Sequence, residues 1–425
     1  MELKKYKLGE LLDVKRGASL AGEHYATSGE YIRLTCGNFD YQNNSFKVNT
    51  SKDNLYYTGP VREEFIMKKG DIITPLTEQA IGLLGSTAII PEDGKYIQSQ
   101  DIAKVICNED LLCPSFAFYL IASDAVKKQL SAAAQQTKIR HTSPDKIKDC
   151  TVWIPDLPTQ EKIGRMLSDI DSKIALNRAI NQNLEALAKQ LYDYWFVQFD
   201  FPNEEGKPYK SSGGKMVWNE RLKRNIPASW KTVVVDDVAE VFNGATPSTG
   251  DEQNYGGDVV WITPKDLSDQ KQKFVYQGER NISQAGYDSC STHLLPINTV
   301  LMSSRAPIGL LAIAKAELCT NQGFKSFMPK EDRIATFLYY YLQFHIKQIE
   351  QLGTGTTFKE VSREDVLKFP ILKPSDVVLD LWEERVSALN DKQLELQKEN
   401  ENLVKHRDEL LPLLMNGQVS LLNCD

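Results

Sequence analysis

Apolar residues recur at alternating spacings of four and three along residues 160–196, which is the pattern of a helix that packs against another helix. The seam positions are Ile163, Leu167, Ile170, Ile174, Asn177, Asn181, Leu184, Ala188, Leu191 and Trp195. No Pro or Gly interrupts residues 165–196. At 1.5 Å per residue this helix would reach about 50 Å, longer than one small domain needs. Thr159, just after Pro158, is its predicted N-cap.

A second seam repeats this pattern near the end of the chain, and each of its members lies 219 residues after its counterpart. Its positions are Trp382, Val386, Leu389, Gln393, Leu396, Asn400, Leu403, Arg407, Leu410 and Leu414. One amphipathic helix usually covers a globular core. Two seams of equal length and phase instead predict an intramolecular coiled coil.

Short strand patterns and turn residues dominate the region before each helix, so these regions are predicted to be mostly β domains. In the first region the strands are expected at 31–34, 71–74, 86–90, 102–106 and 151–154, with one helix over 114–130. The second region repeats the arrangement. Ile81-Gly-Leu-Leu is similar to Ile308-Gly-Leu-Leu, and Phe118-Tyr-Leu to Tyr340-Tyr-Leu. The chain is therefore predicted to be a duplication of domain plus helix.

The predicted fold class is α+β, with two mostly β domains separated by two long helices. The expected boundaries are a first domain at 1–155, the first helix at 156–199, a second domain at 231–372 and the second helix at 373–425. The intervening residues 200–230 are rich in Gly, Pro, Ser, Lys and Asn and are predicted to form a linker.

Charge is sorted along the chain, although the total is only −7. Residues 126–148 carry six basic side chains against Asp145, and residues 207–231 carry seven against Glu220. Residues 380–409 carry nine acids and five bases. The overall charge argues against a nucleic-acid partner, but the basic stretches favour one locally. For each stretch a solvated surface is an equally good interpretation.

The seven cysteines are scattered and odd in number, which predicts a reducing cytoplasm and argues against a disulfide framework or a zinc site. No apolar run approaches 18 residues, so no membrane segment is expected.

Catalytic motifs are also missing. Gly353-Thr-Gly-Thr-Thr-Phe lacks the Gly-Lys-Ser/Thr of a phosphate-binding loop, and no Asn-Pro-Pro-Tyr or Asp-Pro-Pro-Tyr motif of a DNA adenine methyltransferase occurs.

Three segments carry a resemblance to a known family. These are Ile154-Pro-Asp-Leu-Pro-Thr-Gln-Glu-Lys-Ile, Asn225-Ile-Pro-Ala-Ser-Trp-Lys and Glu409-Leu-Leu-Pro-Leu-Leu-Met-Asn-Gly-Gln-Val, of which the last is the most specific. Together with the duplication, they resemble the specificity (S) subunit of type I restriction-modification systems over the whole chain. The entrance of the second helix departs from the pattern, because it lacks the Gln-Glu of the first.

The resemblance implies that each domain is a target-recognition domain for one half of a split double-stranded DNA site, and that the two helices pack antiparallel. It implies a chain without catalytic activity or cofactor of its own. Two modification subunits would bind S-adenosylmethionine and methylate adenine, and restriction/translocase subunits would use ATP and Mg to cleave.

Base-reading side chains are expected on loops that differ between the repeats while their flanks agree. In particular, Arg305 is expected at the place where the first repeat has Glu78. The predicted DNA-binding residues are Thr77, Glu78, Gln79, Lys138 and Arg140 in the first domain and Ser303, Ser304, Arg305, Thr356 and Lys359 in the second.

Two other functions stay open at this point. A protein-interaction scaffold could use the two β domains as clamps without nucleic acid, and a salt-dependent gel shift on random duplex DNA would distinguish it. A hydrolase is disfavoured by the missing motifs.

Overall fold

The computed structural model describes residues 2–41, 43–78, 82–133, 140–305, 307–354 and 359–419. The chain divides into two compact units, the first formed within Met1–Asn177 and Glu399–Asp425 and the second by Arg178–Lys398. Each unit therefore contains one β-rich domain and a part of both long helices.

The first unit is built on an antiparallel four-stranded sheet in the order Ala88–Ile89, Ile72–Pro75, Ile102–Cys107, Leu12–Arg16. A second, mixed sheet has the order Tyr96–Ile97, Tyr31–Arg33, Tyr56–Tyr57, Tyr25–Ala26. The remaining strands form three antiparallel pairs: Lys4–Lys7 with Thr151–Ile154, Phe39–Asp40 with Ser45–Phe46, and Thr77–Glu78 with Arg140–His141. The α-helices of the domain are Leu8–Leu11, Pro114–Ile121, Asp124–Ala133 and Pro144–Lys148.

The second unit repeats the main sheet with strands Ala239–Asn243, Phe324–Pro329, Val300–Ser303 and Leu311–Ala314, and adds Phe274–Val275 as a fifth, parallel strand. Lys231–Val234 pairs with Pro370–Lys373 as Lys4–Lys7 pairs with Thr151–Ile154. Trp261–Ile262 pairs with Cys319–Thr320, and Tyr255–Val259 is a further strand. The α-helices of the domain are Val235–Val238, Pro264–Gln270, Gln284–Asp288, Ala335–Phe344, Ile346–Leu352 and Arg363–Leu367. The common strand order confirms the predicted duplication.

The predicted linker, residues 200–230, folds onto the second unit. Met216–Asn219 and Arg224–Pro227 form an antiparallel hairpin. Phe201, Ile226 and Trp230 are buried in the hydrophobic core of that unit. Trp230 stacks on Phe201, with ring centroids 5.2 Å apart. Apolar burial of these side chains fixes a segment that its composition alone predicted to be a linker.

The long helices run over Leu157–Tyr192, followed by a π-helical turn at Asp193–Val197, and over Asp376–Met415. The first helix begins two residues before the predicted N-cap Thr159, so that prediction was wrong. Asp156 takes this place, since its Oδ1 accepts a hydrogen bond from the backbone N of Thr159 at 3.3 Å.

The two long helices are antiparallel, as predicted. In the first unit Asp171 contacts Arg407 and Asn177 contacts Asn400. In the second unit Asn181 contacts Gln393, and Tyr192 lies against Trp382. Residue numbers therefore fall along the second helix as they rise along the first.

The predicted seam is the buried side of both helices. The fully buried positions include Ile163, Leu167, Trp382 and Val386. Asn400 is 8% exposed. The remaining positions named as seam are half-buried: Ile170, Asn181, Leu184, Leu191, Leu389, Leu403 and Leu410.

Candidate nucleic-acid interface

The first domain joins two segments that the sequence had singled out separately. Arg140 pairs with Glu78 and His141 with Thr77 in a short antiparallel ladder. Glu78 is only 6% exposed, and its Oε1 accepts hydrogen bonds from the backbone N of Gly82 at 2.7 Å and of Leu83 at 3.1 Å. This carboxylate therefore fixes the backbone at Gly82 and Leu83.

Arg140 is the more accessible partner of Glu78. Its Nη1 lies 3.7 Å from Glu78 Oε2, and its side chain is 35% exposed while that of Glu78 is 5% exposed. The same Nη1 donates a hydrogen bond to Ser131 Oγ at 3.0 Å. A guanidinium group is thus held at the surface by a buried acid.

The corresponding loop of the second domain begins with two buried serines. Ser303 and Ser304 are both 0% exposed. Ser303 Oγ donates to the Pro307 carbonyl at 2.6 Å and accepts from the backbone N of Leu310 at 2.8 Å. The buried Ser303 hydroxyl therefore stabilises the loop through hydrogen bonds to its backbone.

Arg305 follows these serines and makes an ion pair with Glu360. Its Nε donates to Glu360 Oε2 at 3.0 Å. The other carboxylate oxygen, Oε1, lies 3.3 Å from Nζ of Lys325. The side chain of Lys325 is 5% exposed, whereas that of Arg305 is 48% exposed. Glu360 therefore lies between a buried cation and an accessible one.

Burial and charge act in opposite directions on this acid. Partial burial alone would raise the pKa of Glu360, but the hydrogen bond from Arg305 and the charge of Lys325 outweigh burial and lower it. For Lys325 the directions are reversed: burial lowers the pKa of its ammonium group, and the negative charge of Glu360 partly offsets this decrease. The carboxylate stays ionised at neutral pH.

The backbone register relates the two loops. The Thr142 N donates to the Leu76 carbonyl at 2.9 Å, and the Val361 N donates to the Ser304 carbonyl at 3.1 Å. Leu76 and Ser304 therefore occupy equivalent positions in the two domains. Arg305, directly after Ser304, corresponds to Thr77, directly after Leu76. The expectation that Arg305 occupies the place of Glu78 was off by one residue, because the loops differ in length just after this point.

The other predicted DNA-binding residues have different outcomes. Lys359 is exposed beside Glu360. Gln79, Lys138 and Thr356 lie outside the described residues. Glu360 and Lys325 were missed, although a lysine within the apolar strand Phe324–Pro329 was a signal that an acid lies nearby. Direct contact with DNA stays a prediction for every residue named.

Polar side chains also join the long helices to the domains. In the first unit Tyr119 Oη donates to Asp171 Oδ2 at 2.6 Å, and Arg407 Nη1 donates to Asp171 Oδ1 at 2.8 Å. In the second unit Tyr340 Oη donates to Glu185 Oε2 at 2.9 Å. A tyrosine–carboxylate bond thus attaches each domain to the first long helix.

Lys273 completes the polar cluster of the second unit. Its Nζ donates to Tyr340 Oη and Asn390 Oδ1, both at 2.7 Å, and lies 3.3 Å from Glu185 Oε2. Burial lowers the pKa of Lys273 to about 8, although Glu185 acts in the opposite direction.

In the part of the chain that the structure describes, no grouping of His, Cys, Asp and Glu could hold a metal ion. Among the described residues, too, no helix combines the length and apolarity needed to span a membrane. The six described cysteines are free thiols, and burial raises the pKa of Cys107 to about 12.

Known proteins share this duplicated α+β architecture. The family model described as the type I restriction modification DNA specificity domain matches residues 1–186 and 227–378. The chain therefore belongs to that family.

Two curated relatives and one solved structure are similar to this chain. The HindI specificity subunit of Haemophilus influenzae, from a type I restriction enzyme, is 25% identical over 85% of this chain and 89% of its own length. The MjaIX specificity subunit of Methanocaldococcus jannaschii is 35% identical, but the match spans 46% of this chain and 47% of that relative. The crystal structure of a type I restriction-modification S subunit from M. genitalium covers 98% of this chain and 96% of its own, with TM-score 0.61 and 16% identity. The last likeness shows a shared fold.

Proposed function

We propose that this chain recognises a bipartite double-stranded DNA sequence as the non-catalytic specificity subunit of a type I restriction-modification complex. Each domain would read one half-site. The chain would direct two modification subunits, which bind S-adenosylmethionine, to methylate adenine N6, and restriction/translocase subunits to cleave with ATP and Mg. We place this assembly in the cytoplasm, in keeping with the free thiols.

The observation that carries this proposal is the duplication with unlike loops. Both domains have the same main sheet. Both also have the same backbone hydrogen bond, which joins the residue shortly after strand Ile72–Pro75 or Val300–Ser303 to the segment before helix Pro144–Lys148 or Arg363–Leu367. The charged side chains at this link differ, with Glu78 and Arg140 in one domain and Arg305, Lys325 and Glu360 in the other. A common frame with different polar groups suits two readers of different sequences.

Methylation sequencing tests the proposal. A host that lacks adenine methylation would express the full chain with its modification partner, and its genome would be sequenced for N6-methyladenine. We expect one split motif, methylated on both strands, that disappears when this chain is omitted. Methylation that does not depend on this chain, or a motif without a spacer, would contradict the proposal.

Duplex binding separates the proposal from a scaffold without nucleic acid. The complex should bind random duplex DNA with an affinity that falls steeply with salt, because Lys and Arg displace counterions from phosphates. A scaffold would show no such binding at any salt concentration.

A further inference from the structure

Each domain holds one accessible arginine against a less accessible carboxylate. In the first domain the side chain of Arg140 is 35% exposed and that of Glu78 is 5% exposed. In the second the values are 48% for Arg305 and 36% for Glu360. Both domains therefore pair an arginine with an acid, through a hydrogen bond of 3.0 Å in the second domain and an ion pair of 3.7 Å in the first.

The two pairs are built with the segments exchanged. In the first domain the acid lies in the short strand Thr77–Glu78, which follows strand Ile72–Pro75, and the arginine precedes helix Pro144–Lys148. In the second the arginine lies on the loop after strand Val300–Ser303, and the acid precedes helix Arg363–Leu367. Since the exchange preserves the pairing of one arginine with one acid, the pairing rather than either position is the common feature.

We propose that Glu360 is a specificity-determining residue that restrains Arg305 until the correct DNA sequence is presented, and that Glu78 does the same for Arg140. This inference rests on the proposed function. An unrestrained arginine binds any phosphate and adds affinity for all sequences alike. An arginine that must first break its ion pair with a carboxylate contributes binding free energy only where the new partner binds it at least as strongly. The two acceptors on a guanine edge are such a partner. The acid thus lowers general affinity and raises discrimination.

Lys325 makes this exchange possible in the second domain. Its buried Nζ lies 3.3 Å from Glu360 Oε1 and 3.5 Å from Ser304 Oγ. When Arg305 turns to DNA, Glu360 therefore keeps a cationic partner and is not left as an isolated charge. Lys325 also fixes the carboxylate in place, so the restraint acts on Arg305 in one geometry.

The test compares the complex of wild-type chain and modification partner with complexes of variants. The probes are a duplex carrying the methylated motif, its single-base variants in both half-sites, and a random duplex of equal length. Glu360→Gln should bind the random duplex several-fold more tightly, because a negative charge near phosphate is lost. Its preference for the motif over variants of the second half-site should fall about tenfold. Discrimination in the first half-site should not change.

Two further variants test the arginine itself and the effect of removing a nearby charge. Arg305→Ala should weaken binding to the motif by roughly 5- to 150-fold, the range for one base contact of about 1–3 kcal/mol, with the loss confined to one base position. Glu364→Gln is the matched control, since it removes the same charge from an exposed side chain four residues away. It should leave the preference at the wild-type value.

The outcomes separate three cases. Weaker binding of Glu360→Gln to every duplex would indicate a purely structural role and overturn the inference. Unchanged discrimination, or the same change in Glu364→Gln, would also overturn it. If the wild-type complex prefers no sequence, the proposed function itself fails. Thermal unfolding of each variant identifies loss of fold, and in that case Glu360→Asp, which keeps the charge, should retain more discrimination than Glu360→Gln.

Discussion

Asn177 of the first long helix donates a hydrogen bond from Nδ2 to Oδ1 of Asn400 on the second, at 3.1 Å, and both side chains are buried. The same Nδ2 lies 2.8 Å from Glu399 Oε2. Asn177 Oδ1 is buried without a hydrogen-bond partner within the described part of the chain. A buried amide pair in an apolar seam costs stability but selects one register, because other registers leave the amides unpaired.

Replacing both asparagines should therefore stabilise the helix pair while each single change destabilises it. Asn400→Leu removes one of the two acceptors of Asn177 Nδ2 and leaves Glu399 as the other, so it should cost about 1 kcal/mol, whereas Asn177→Leu with Asn400→Leu should restore the wild-type free energy of unfolding or exceed it. Urea unfolding of the three variants measures this. A double variant less stable than either single one would show that the amides do more than set register.

Much of the helix pair could be predicted from sequence because a seam is a local pattern. The partner of each residue could not. Asn181 and Asn400 hold equivalent positions, yet Asn400 contacts Asn177 and Asn181 contacts the Gln393 carbonyl. The register of the antiparallel helices depends on where the domains attach to them, for instance through Tyr119 and Tyr340. The spacing of seam residues does not predict these contacts.

The candidate interface was predictable to a similar degree. Comparing the repeats led to the loops with Glu78 and Arg305, because their flanks agree. It did not lead to Glu360, which is 55 residues from Arg305 and becomes its partner only through the fold. Burial of Ser303 and Ser304 was also hidden, since a serine that stabilises a loop and a serine that faces solvent look alike in sequence.

Arg407, a charged residue at a seam position, should be required for stability through Asp171. Arg407→Met keeps an apolar stem but leaves Asp171 without its cation, at 2.8 Å in the wild type. Fully buried pairs cost about 3–5 kcal/mol when broken, and because the Asp171 side chain is 29% exposed we expect about 2 kcal/mol. Chemical denaturation checks this, with Lys405→Met on the exposed face of the same helix as control. Equal losses in the two variants would contradict a specific role for the ion pair.

Lys273 should make stability depend on pH in the alkaline range. Burial lowers its pKa to about 8 in the folded chain, while an unfolded lysine titrates near 10.4. Between these values the unfolded chain binds more protons, so this group makes folding more favourable as pH rises. Relative to Lys273→Met, the wild type should gain about 2 kcal/mol between pH 8 and 10. Both proteins contain the same cysteines, so the comparison cancels the contribution of thiol ionisation, which has the opposite pH dependence. A pH-independent difference in stability between the two proteins would contradict the lowered pKa of Lys273.

The long helices should set the spacer between the half-sites, if the proposed function holds. One heptad inserted after Asn177 and another after Lys398 would leave the contacts within each unit intact and keep both seams in phase. Each helix would lengthen by about 10 Å, which corresponds to roughly three base pairs of duplex. Methylation sequencing of a host carrying this variant with its modification partner should reveal the same two half-sites with a longer spacer, or no methylation where the added rotation about the duplex prevents binding. A heptad inserted into only one helix is the control, since it shifts the register and should abolish methylation. If the doubly lengthened chain directed methylation of the original motif at the wild-type rate, the helices would not determine the spacer.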